Sequence, residues 1–295
     1  MKKTRFKTFY KHLPYLEIEE LITYFSIFDG YPDLNILNNH EKLLENIENN
    51  ILKKYQELKS MFHFSDDEVL QKDIQTTLHR LAIGTRKHYS IYKDLSRERG
   101  KDAYNFLFEH KIIQREYSRE KPIIRLSHQP LKKELRGYKI EDKIRFSKEF
   151  YRFWFTFIYP NQDDLEKCEY NQVLTDIQEN VDYFVSGFFE EISNSLIEHI
   201  YEDKIIESGS YWDRDVEIDL FVRLNDSKIL LGECKWKNHK VSKNTLNKLK
   251  KVGIKAGIRA DYFALFSKNG FSKELENSKD KNLLLYDLES FKALL

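Results

Sequence analysis

Apolar and polar positions alternate in two windows in the last third of the chain, at 216–224 and 229–236. Both windows are rich in β-branched and large apolar residues, which favour strands, and turn-forming residues at 225–227 separate them. Strand side chains alternate between two faces, so Glu217 and Asp219 share a face, as do Glu233 and Lys235. The pattern predicts a β-hairpin that carries four charged side chains.

The length of the loop decides whether the two charged sets meet. With a three-residue loop, closed by the left-handed conformation that Asn or Asp can adopt, Asp219 lies opposite Glu233 and Glu217 opposite Lys235. Opposed Cβ atoms are about 4.5–5.5 Å apart, and a slip of one residue would separate the sets. Clustered carboxylates repel unless a cation neutralises them, and hard oxygen ligands suit Mg²⁺ or Mn²⁺. The alternative is a solvated hairpin face whose charges form salt bridges.

Helical spacing of apolar residues predicts most of the remaining elements. The order of helix, short helix, helix and two strands after residue 65 is the pattern of a winged helix. Helices are predicted over 16–28, 44–58, 65–81, 89–95 and 244–252, another helix begins at 103–107, and residues 171–202 form one helix or two. The further predicted strands are 112–117, 123–126, 261–266 and 283–286. The aromatic run at 143–161 has the length of a helix and is expected to form core between domains, the alternative being a platform on which bases stack.

Length and composition limit the classes of protein to which the chain can belong. A chain of 295 residues allows about two domains. Two cysteines, Cys168 and Cys234, exclude a disulfide scaffold and a Cys-rich zinc site, and Cys234 is expected to be a small core residue rather than a nucleophile. No apolar run reaches the roughly 18 residues of a membrane span, and the lysine-rich start lacks the apolar region of a signal peptide. The chain is therefore predicted to be cytoplasmic, with no membrane contact.

Charge is distributed unevenly, although the formal net charge is +1. Residues 71–150 carry 20 Lys and Arg against 11 Asp and Glu, and residues 151–202 carry 2 against 11. A basic block predicts a nucleic-acid-binding module, here for DNA. Alternatively, the acidic block docks onto it, or the winged helix contacts protein. The candidate DNA-binding residues are Arg97, Arg99, Lys101, Arg115, Arg119 and Lys121, together with Arg125 at the predicted second strand.

The D-x13-E-x-K spacing of Asp219, Glu233 and Lys235, set in Ile/Leu-rich strands with a trailing Trp, resembles the PD-(D/E)xK nuclease superfamily. Over about 71–295 the chain resembles more closely the C-terminal nuclease-like region, with its preceding winged helix, of archaeal and bacterial DEXX-box ATPases. The strings RFWF at 152–155 and YPN at 159–161 fit that family, whereas Lys148-Glu149 departs from it. The chain lacks the family's P-loop motif, so no ATP hydrolysis by that mechanism is expected.

This resemblance implies roles for individual residues. Asp219 and Glu233 would bind Mg²⁺ or Mn²⁺, and Lys235 would hold the attacking water or the transition-state phosphate. The family's first helix carries a Phe-Glu pair whose acid approaches the metal. Phe189-Glu190 fits that pair, and the adjacent Glu191 is equally available by helical geometry.

The sequence therefore predicts an α/β protein in three segments. These are a helical N-terminal extension over 1–64, a winged-helix-like module over 65–160 and a restriction-endonuclease-like domain with a mixed sheet over 161–295. The function expected is metal-dependent phosphodiester hydrolysis on DNA, with Asp219, Glu233, Lys235, Glu190 and Glu217 as the catalytic set. The alternative is a non-catalytic DNA- or protein-binding module whose nuclease-like domain is a docking surface, and a protein partner or homodimer remains open.

Overall fold

The structure is a computed structural model that describes residues 2–37, 40–84, 86–121 and 138–295. It is mixed α/β, as the sequence predicts. The α-helices of these ranges are α1 (Lys2–His12), α2 (Ile18–Phe28), α3 (Leu43–Ile47), α4 (Tyr55–Lys59), α5 (Glu68–Ile83), α6 (Arg97–Glu109), α7 (Glu149–Phe153), α8 (Gln162–Glu166), α9 (Asn171–Ile200), α10 (Lys243–Lys255) and α11 (Lys273–Glu276).

The strands form two sheets in the same ranges. They are β1 (Ile113–Glu116), β2 (Lys143–Phe146), β3 (Ile205–Trp212), β4 (Glu217–Leu224), β5 (Ile229–Lys235), β6 (Tyr262–Ser267) and β7 (Leu283–Tyr286). Short 3₁₀ segments include His88–Lys93, where the sequence predicts a short helix, and wider π turns occur at Glu48–Leu52 and Trp154–Ile158. The single helix predicted over 44–58 is thus α3, a π turn and α4.

The chain divides into two compact units. The first, here the helical unit, comprises Met1–Glu116, Lys143–Phe189 and Leu294–Leu295. The second, here the sheet unit, comprises Tyr117–Asp142 and Glu190–Ala293. The division differs from the three consecutive segments predicted from the sequence, because the N-terminal helices pack on the segment around α7 rather than forming a separate extension.

Aromatic side chains fill the core of the helical unit. Phe62 stacks on Trp154 with ring centroids 4.2 Å apart, and Phe25 stacks on Phe188 at 4.9 Å. The Arg5 guanidinium pairs with the buried Asp29 at 2.7 Å. The aromatic run is therefore buried as expected, but inside the helical unit. Such side chains supply large apolar areas, which offset the entropy lost on ordering the chain.

The first strands of the helical unit pair differently from the predicted wing. Strand β1 lies where the sequence predicts one, and its antiparallel partner is β2, with Ile113 opposite Phe146 and Glu116 opposite Lys143. The sequence predicts no strand at residues 143–146, which begin the aromatic run, and the helix of that run begins at Glu149. The predicted strand 123–126, with Arg125, lies outside the described residues.

The sheet unit is built on five strands in the order β3-β4-β5-β6-β7. The first three are antiparallel, and β5, β6 and β7 are parallel. Helix α10 connects β5 to β6, the kind of crossover that parallel neighbours require. The strands and helix predicted over 216–286 are all present, so the mixed sheet expected from the sequence is confirmed.

One face of this sheet packs against α10. Leu246 and Leu249 of the helix belong to the same buried cluster as Phe221, Leu231 and Leu265 of the strands. Glycine allows a close approach here, because a Cβ at position 253 would lie 2.8 Å from a Leu231 methyl carbon. The apolar stripe of α10 is thus used in the core of the sheet unit.

The segment after β1 runs along the outer edge of β3 within the sheet unit. The Arg119 amide donates to the Ser210 carbonyl at 3.1 Å, and the Trp212 amide donates to the Ser118 hydroxyl at 2.8 Å. The Trp212 indole donates to the Glu141 carbonyl at 2.8 Å. These bonds cover part of an edge strand, which otherwise presents unsatisfied backbone groups.

Across the described part of the chain, no helix combines the length and the apolar character needed to cross a bilayer.

Candidate functional site

The loop between β4 and β5 has the three residues that the sequence predicts. The Leu224 amide donates to the Lys228 carbonyl at 2.9 Å, and the Ser227 amide donates to the Leu224 carbonyl at 3.0 Å. Ser227, rather than the expected Asn or Asp, adopts the left-handed conformation, with a φ of 66°. A left-handed third residue is what closes a three-residue hairpin loop.

The register of the two strands is also the predicted one. Leu220 pairs with Gly232 in the last pair of the described ladder, and the same register continued by one position would set Asp219 against Glu233. A two-residue loop would have shifted the pairing and sent these two carboxylates to opposite faces.

A bulge in β4 lies at Asp219. Against β3, Gly209 pairs with Phe221 and Tyr211 pairs with Ile218, so three steps along β4 match two along β3. The extra residue falls at positions 219–220. Bulges bend a strand and re-aim a side chain, and they are common next to active sites.

At the bulge, the Asp219 carboxylate replaces a backbone carbonyl as a hydrogen-bond acceptor between β4 and β5. Its Oδ2 accepts a hydrogen bond from the Cys234 amide at 2.8 Å. In an unbroken antiparallel ladder of this register, that amide would donate to the Ile218 carbonyl instead. Asp219 is therefore fixed by the backbone of the strand that carries Glu233 and Lys235.

Asp219 is surrounded by like charge. Burial, followed by the charges of Glu190 and Glu233, raises the pKa of Asp219 well above its usual range. The hydrogen bond from the Cys234 amide and the charge of Lys235 act in the opposite direction. A carboxyl with a raised pKa beside further carboxylates is typical of functional sites.

Lys235 supplies the positive charge of this cluster. Its Nζ forms an ion pair with Glu233 Oε1, and both side chains are partly buried, with exposed fractions of 32% and 25%. Burial alone would lower the pKa of Lys235, but the Glu233 carboxylate outweighs burial and raises it. Lys235 thus keeps its charge at neutral pH.

Helical geometry did not decide whether Glu190 or Glu191 approaches Asp219, and the structure identifies Glu190 as one that does. Glu190 of α9 raises the pKa of Asp219 and of Cys234, which places its carboxylate within electrostatic range of both. Glu190 is the first of the charges that raise the pKa of Asp219. Cys234 itself is buried, and burial raises the pKa of its thiol, in line with the core role expected of it.

Glu217 differs from the expectation. It is exposed at the start of β4 and pairs with Trp212 of β3. The described ladder between β4 and β5 runs from Arg223 to Leu220, so the predicted opposition of Glu217 and Lys235 is not part of it. The bulge at Asp219 is the physical reason, since the regular pairing ends at Leu220, three residues before Glu217 is reached.

Asp219 and Glu233 are two carboxylates close enough for the charge of Glu233 to raise the pKa of Asp219. Among the described residues, no group of three or more His, Cys, Asp or Glu is arranged to hold a metal ion. Mg²⁺ is commonly held by one or two carboxylates, with waters and substrate phosphates completing the shell. Asp219 and Glu233 can supply those two carboxylates, and their mutual repulsion favours a cation.

The predicted DNA-binding residues of the helical unit are not equivalent. Arg97 and Lys101 are exposed on α6. Arg99 donates from Nε to the buried Asp73 at 2.8 Å and also forms an ion pair with it through Nη2, so its charge is committed inside the unit. The same exposed face of α6 carries Glu98 and Asp102, which offset the basic charge.

The other three predicted residues divide between the units. Arg115 is exposed on β1, with its guanidinium 4.8 Å from the centre of the Phe108 ring. Arg119 and Lys121 belong to the sheet unit. A Cβ at Gly209 would lie 2.8 Å from Arg119 Nε, so this side chain packs directly on β3. The six residues therefore do not belong to one winged-helix surface.

Sequence reasoning missed the Cys234 amide, the group that holds Asp219. The missing information is the register of β3, because the bulge exists only as a one-residue excess of β4 over that strand. No sequence pattern within β4 alone indicates the bulge.

Comparison with known proteins gives one family match. Residues 154–249 match the family DUF234, which is described as archaeal and bacterial proteins of unknown function. The matched range, about a third of the chain, includes Glu190, Asp219, Glu233 and Lys235. No curated protein and no solved structure matches the chain.

The raised pKa of Asp219 gives a prediction about stability. A raised pKa means that the folded state binds the proton more tightly than the unfolded chain, so the charged form costs stability above the folded pKa. Asp219→Asn should therefore raise the free energy of unfolding at pH 8 by about 0.5–2 kcal/mol. The gain should shrink as the pH falls toward the ordinary value of 3.8.

Urea unfolding of both proteins at several pH values measures this difference. Asp226→Asn is the matched control, since Asp226 is exposed in the hairpin loop and pairs with Lys228 at 2.7 Å. An Asp219→Asn protein that is less stable than wild type at pH 8 would contradict the electrostatic description of the cluster.

Proposed function

We propose that the sheet unit is a metal-dependent nuclease that hydrolyses phosphodiester bonds of DNA. The observation that carries the proposal is the carboxylate cluster of Asp219, Glu233 and Glu190 with Lys235 among them. Its construction supports the proposal, because the bulge and the Cys234 amide hold Asp219 in an electrostatically costly place. Costly arrangements of this kind persist where a cation or substrate compensates them.

The carboxylates define the metal-binding part of the proposed reaction. Asp219 and Glu233 would hold the cation, which when bound polarises the phosphate and lowers the pKa of its water. Glu190 contributes further negative charge from α9, which strengthens the preference of the site for a cation over an anion. The resemblance to PD-(D/E)xK nucleases in the E-x-K spacing supports the same assignment.

Lys235 has the role of countering negative charge. Its Nζ is held by Glu233, so the ammonium is oriented before any substrate arrives. Charge develops on the phosphate oxygens in the transition state, and a preorganised cation stabilises that state more than the ground state. Because its pKa is raised, the side chain is protonated at the pH where this is needed.

The winged-helix assignment of residues 65–116 and 143–146 belongs to the same proposal. The order of α5, the 3₁₀ segment, α6 and the β1-β2 pair supports it. Its contribution would be to bring the chain to duplex DNA through exposed residues such as Arg97 and Lys101.

One experiment tests the nuclease proposal. Supercoiled plasmid and linear single-stranded DNA are incubated with wild type or Asp219→Asn, with Mg²⁺, Mn²⁺ or a chelator. Wild type should cut at least one substrate with metal only, and Asp219→Asn should cut neither. The variant is expected to be at least as stable as wild type, so its inactivity cannot be attributed to unfolding.

Two results would overturn the proposal. Equal cleavage by the two proteins would show that Asp219 is not part of the reaction. Binding of DNA by wild type with no cleavage under any condition would favour the alternative, a non-catalytic binding module.

A further inference from the structure

The exposed face of α10 is more uniformly basic than the exposed face of α6. The helix Lys243–Lys255 has the sequence KNTLNKLKKVGIK, with five lysines and no acidic residue. Lys248, Lys251 and Lys255 follow one another at helical spacing and are all exposed. These three residues are called the lysine face of α10.

The remaining lysines of the helix are engaged with acids on other elements. Lys243 pairs with Glu274 at 2.7 Å, and Lys250 approaches Asp280 at 3.7 Å. On the lysine face, Lys255 donates to the Asp215 carbonyl oxygen at 3.1 Å, which leaves its charge uncompensated by that bond. The face thus presents three positive charges toward solvent.

Helix α10 covers the face of the sheet onto which two residues of the proposed site alternate. Position 253, late in α10, packs on Leu231, early in β5. Leu231, Glu233 and Lys235 alternate onto one face of the strand. The lysine face is on the opposite side of the helix from Leu246, Leu249 and position 253, which are buried, so it is turned toward solvent.

The spacing suits a phosphate backbone. Lys248 to Lys255 spans about 10 Å of helix, at about 1.5 Å per residue. A DNA strand carries one phosphate per about 3.4 Å of helix axis, so roughly three phosphates occupy that length. Three lysines can therefore contact about three phosphates.

We propose that the lysine face of α10 is the surface of the sheet unit that contacts the nucleic-acid backbone. The inference rests on the proposed function and assigns its main substrate contact to the sheet unit rather than to α6. An anionic membrane is the less suitable occupant, because a membrane-bound helix inserts its apolar face. Leu246 and Leu249 of that face are already buried in the core.

The test measures binding of the full chain to a short DNA duplex with a chelator present, so that no cleavage occurs. Lys248→Gln/Lys251→Gln/Lys255→Gln is compared with wild type over a range of salt concentrations. Each phosphate contact contributes about 0.9 to the slope of log affinity against log salt, so the slope should fall by about 3. Affinity at about 0.1 M salt should fall at least about tenfold.

A second triple variant with the same change of charge is the control. Lys228, Lys273 and Lys279 are exposed positions of the sheet unit outside α10, and their replacement by glutamine should leave the slope within about one of wild type. Circular dichroism verifies that both variants fold. All substituted side chains are exposed, so little loss of stability is expected.

The outcomes separate this inference from the nuclease proposal. An unchanged slope in the α10 variant overturns the inference, as does a loss of slope only when Arg97, Lys101 and Arg115 are replaced. Binding of wild type to vesicles of anionic lipid but not to DNA also overturns it. In one further outcome, wild type binds DNA through α10 but does not cleave it once metal is added. That result supports the inference and contradicts only the nuclease proposal.

Discussion

Replacing Lys235 by methionine is expected to lower the rate of metal-dependent DNA cleavage by about 10²–10³-fold, the usual effect of removing one preorganised group that stabilises transition-state charge. Methionine keeps the unbranched shape and removes the ammonium that pairs with Glu233. Single-turnover cleavage with enzyme in excess measures the chemical step, and duplex affinity in chelator should change by less than about threefold. The loss should therefore appear in the rate rather than in binding.

Two matched variants sharpen this prediction. Lys235→Arg keeps the charge with a different geometry and should recover part of the rate, because guanidinium and ammonium are not interchangeable at close contacts. Lys228→Met removes a lysine that is exposed in the hairpin loop and should cleave at the wild-type rate. If Lys235→Met cleaves as fast as Lys228→Met, Lys235 has no part in catalysis.

Replacing Glu116 by alanine is expected to lower the free energy of unfolding by about 3–5 kcal/mol, since it leaves buried or partly buried cations without their partner. Glu116 is buried on β1, forms an ion pair with Arg145 and lies 3.1 Å from Arg86. Lys143, opposite it in the ladder, is also buried. Urea unfolding at pH 7 measures the loss, and Glu109→Ala, at an exposed position of α6, is the control.

The same residue predicts how stability depends on pH. Burial alone would raise the pKa of Glu116, but Arg145, followed by Arg86 and Lys143, outweighs burial and lowers it to about 2. A lowered pKa contributes stability that is complete above the unfolded value, near 4.5, and is lost as the pH falls toward about 2. Wild type should lose stability over that window, and Glu116→Ala should lose less. An alanine variant with the wild-type pH dependence would show that this carboxylate is not the titrating group.

Much of the sheet unit could be predicted from the sequence, because the patterns that indicate its strands and helix α10 each span only a few residues. Alternation at 216–224 and 229–236, with turn formers between them, determines a hairpin, its loop length and therefore its register. Apolar spacing at Leu246 and Leu249 determines an amphipathic helix on that sheet. The E-x-K spacing of Glu233 and Lys235 likewise places both side chains on one face of a single strand.

The detailed site depended on contacts that are distant in the chain. The bulge at Asp219 is an excess of β4 over β3, and neither strand shows it alone. Glu190 and Glu191 are neighbours on α9, so the sequence alone could not show that the charge of Glu190 acts on Asp219. Glu217 shares the alternation of Asp219 but lies beyond the bulge, where the regular pairing with β5 has ended.

Charge content was visible in the sequence, but the partners of each charge were not. The basic block was read as one surface, although Arg99 is bound to the buried Asp73 and Arg119 packs on β3 in the other unit. Strand β2 was missed because its pairing with β1 spans the 26 residues between Glu116 and Lys143. Periodicity and turn chemistry act over a few residues, so the sequence by itself determined the hairpin, long amphipathic helices such as α2, α5 and α10, and strands β4 to β7. Strand partners, the bulge and ion pairs join distant residues, so only the tertiary structure decided which charges gather around Asp219.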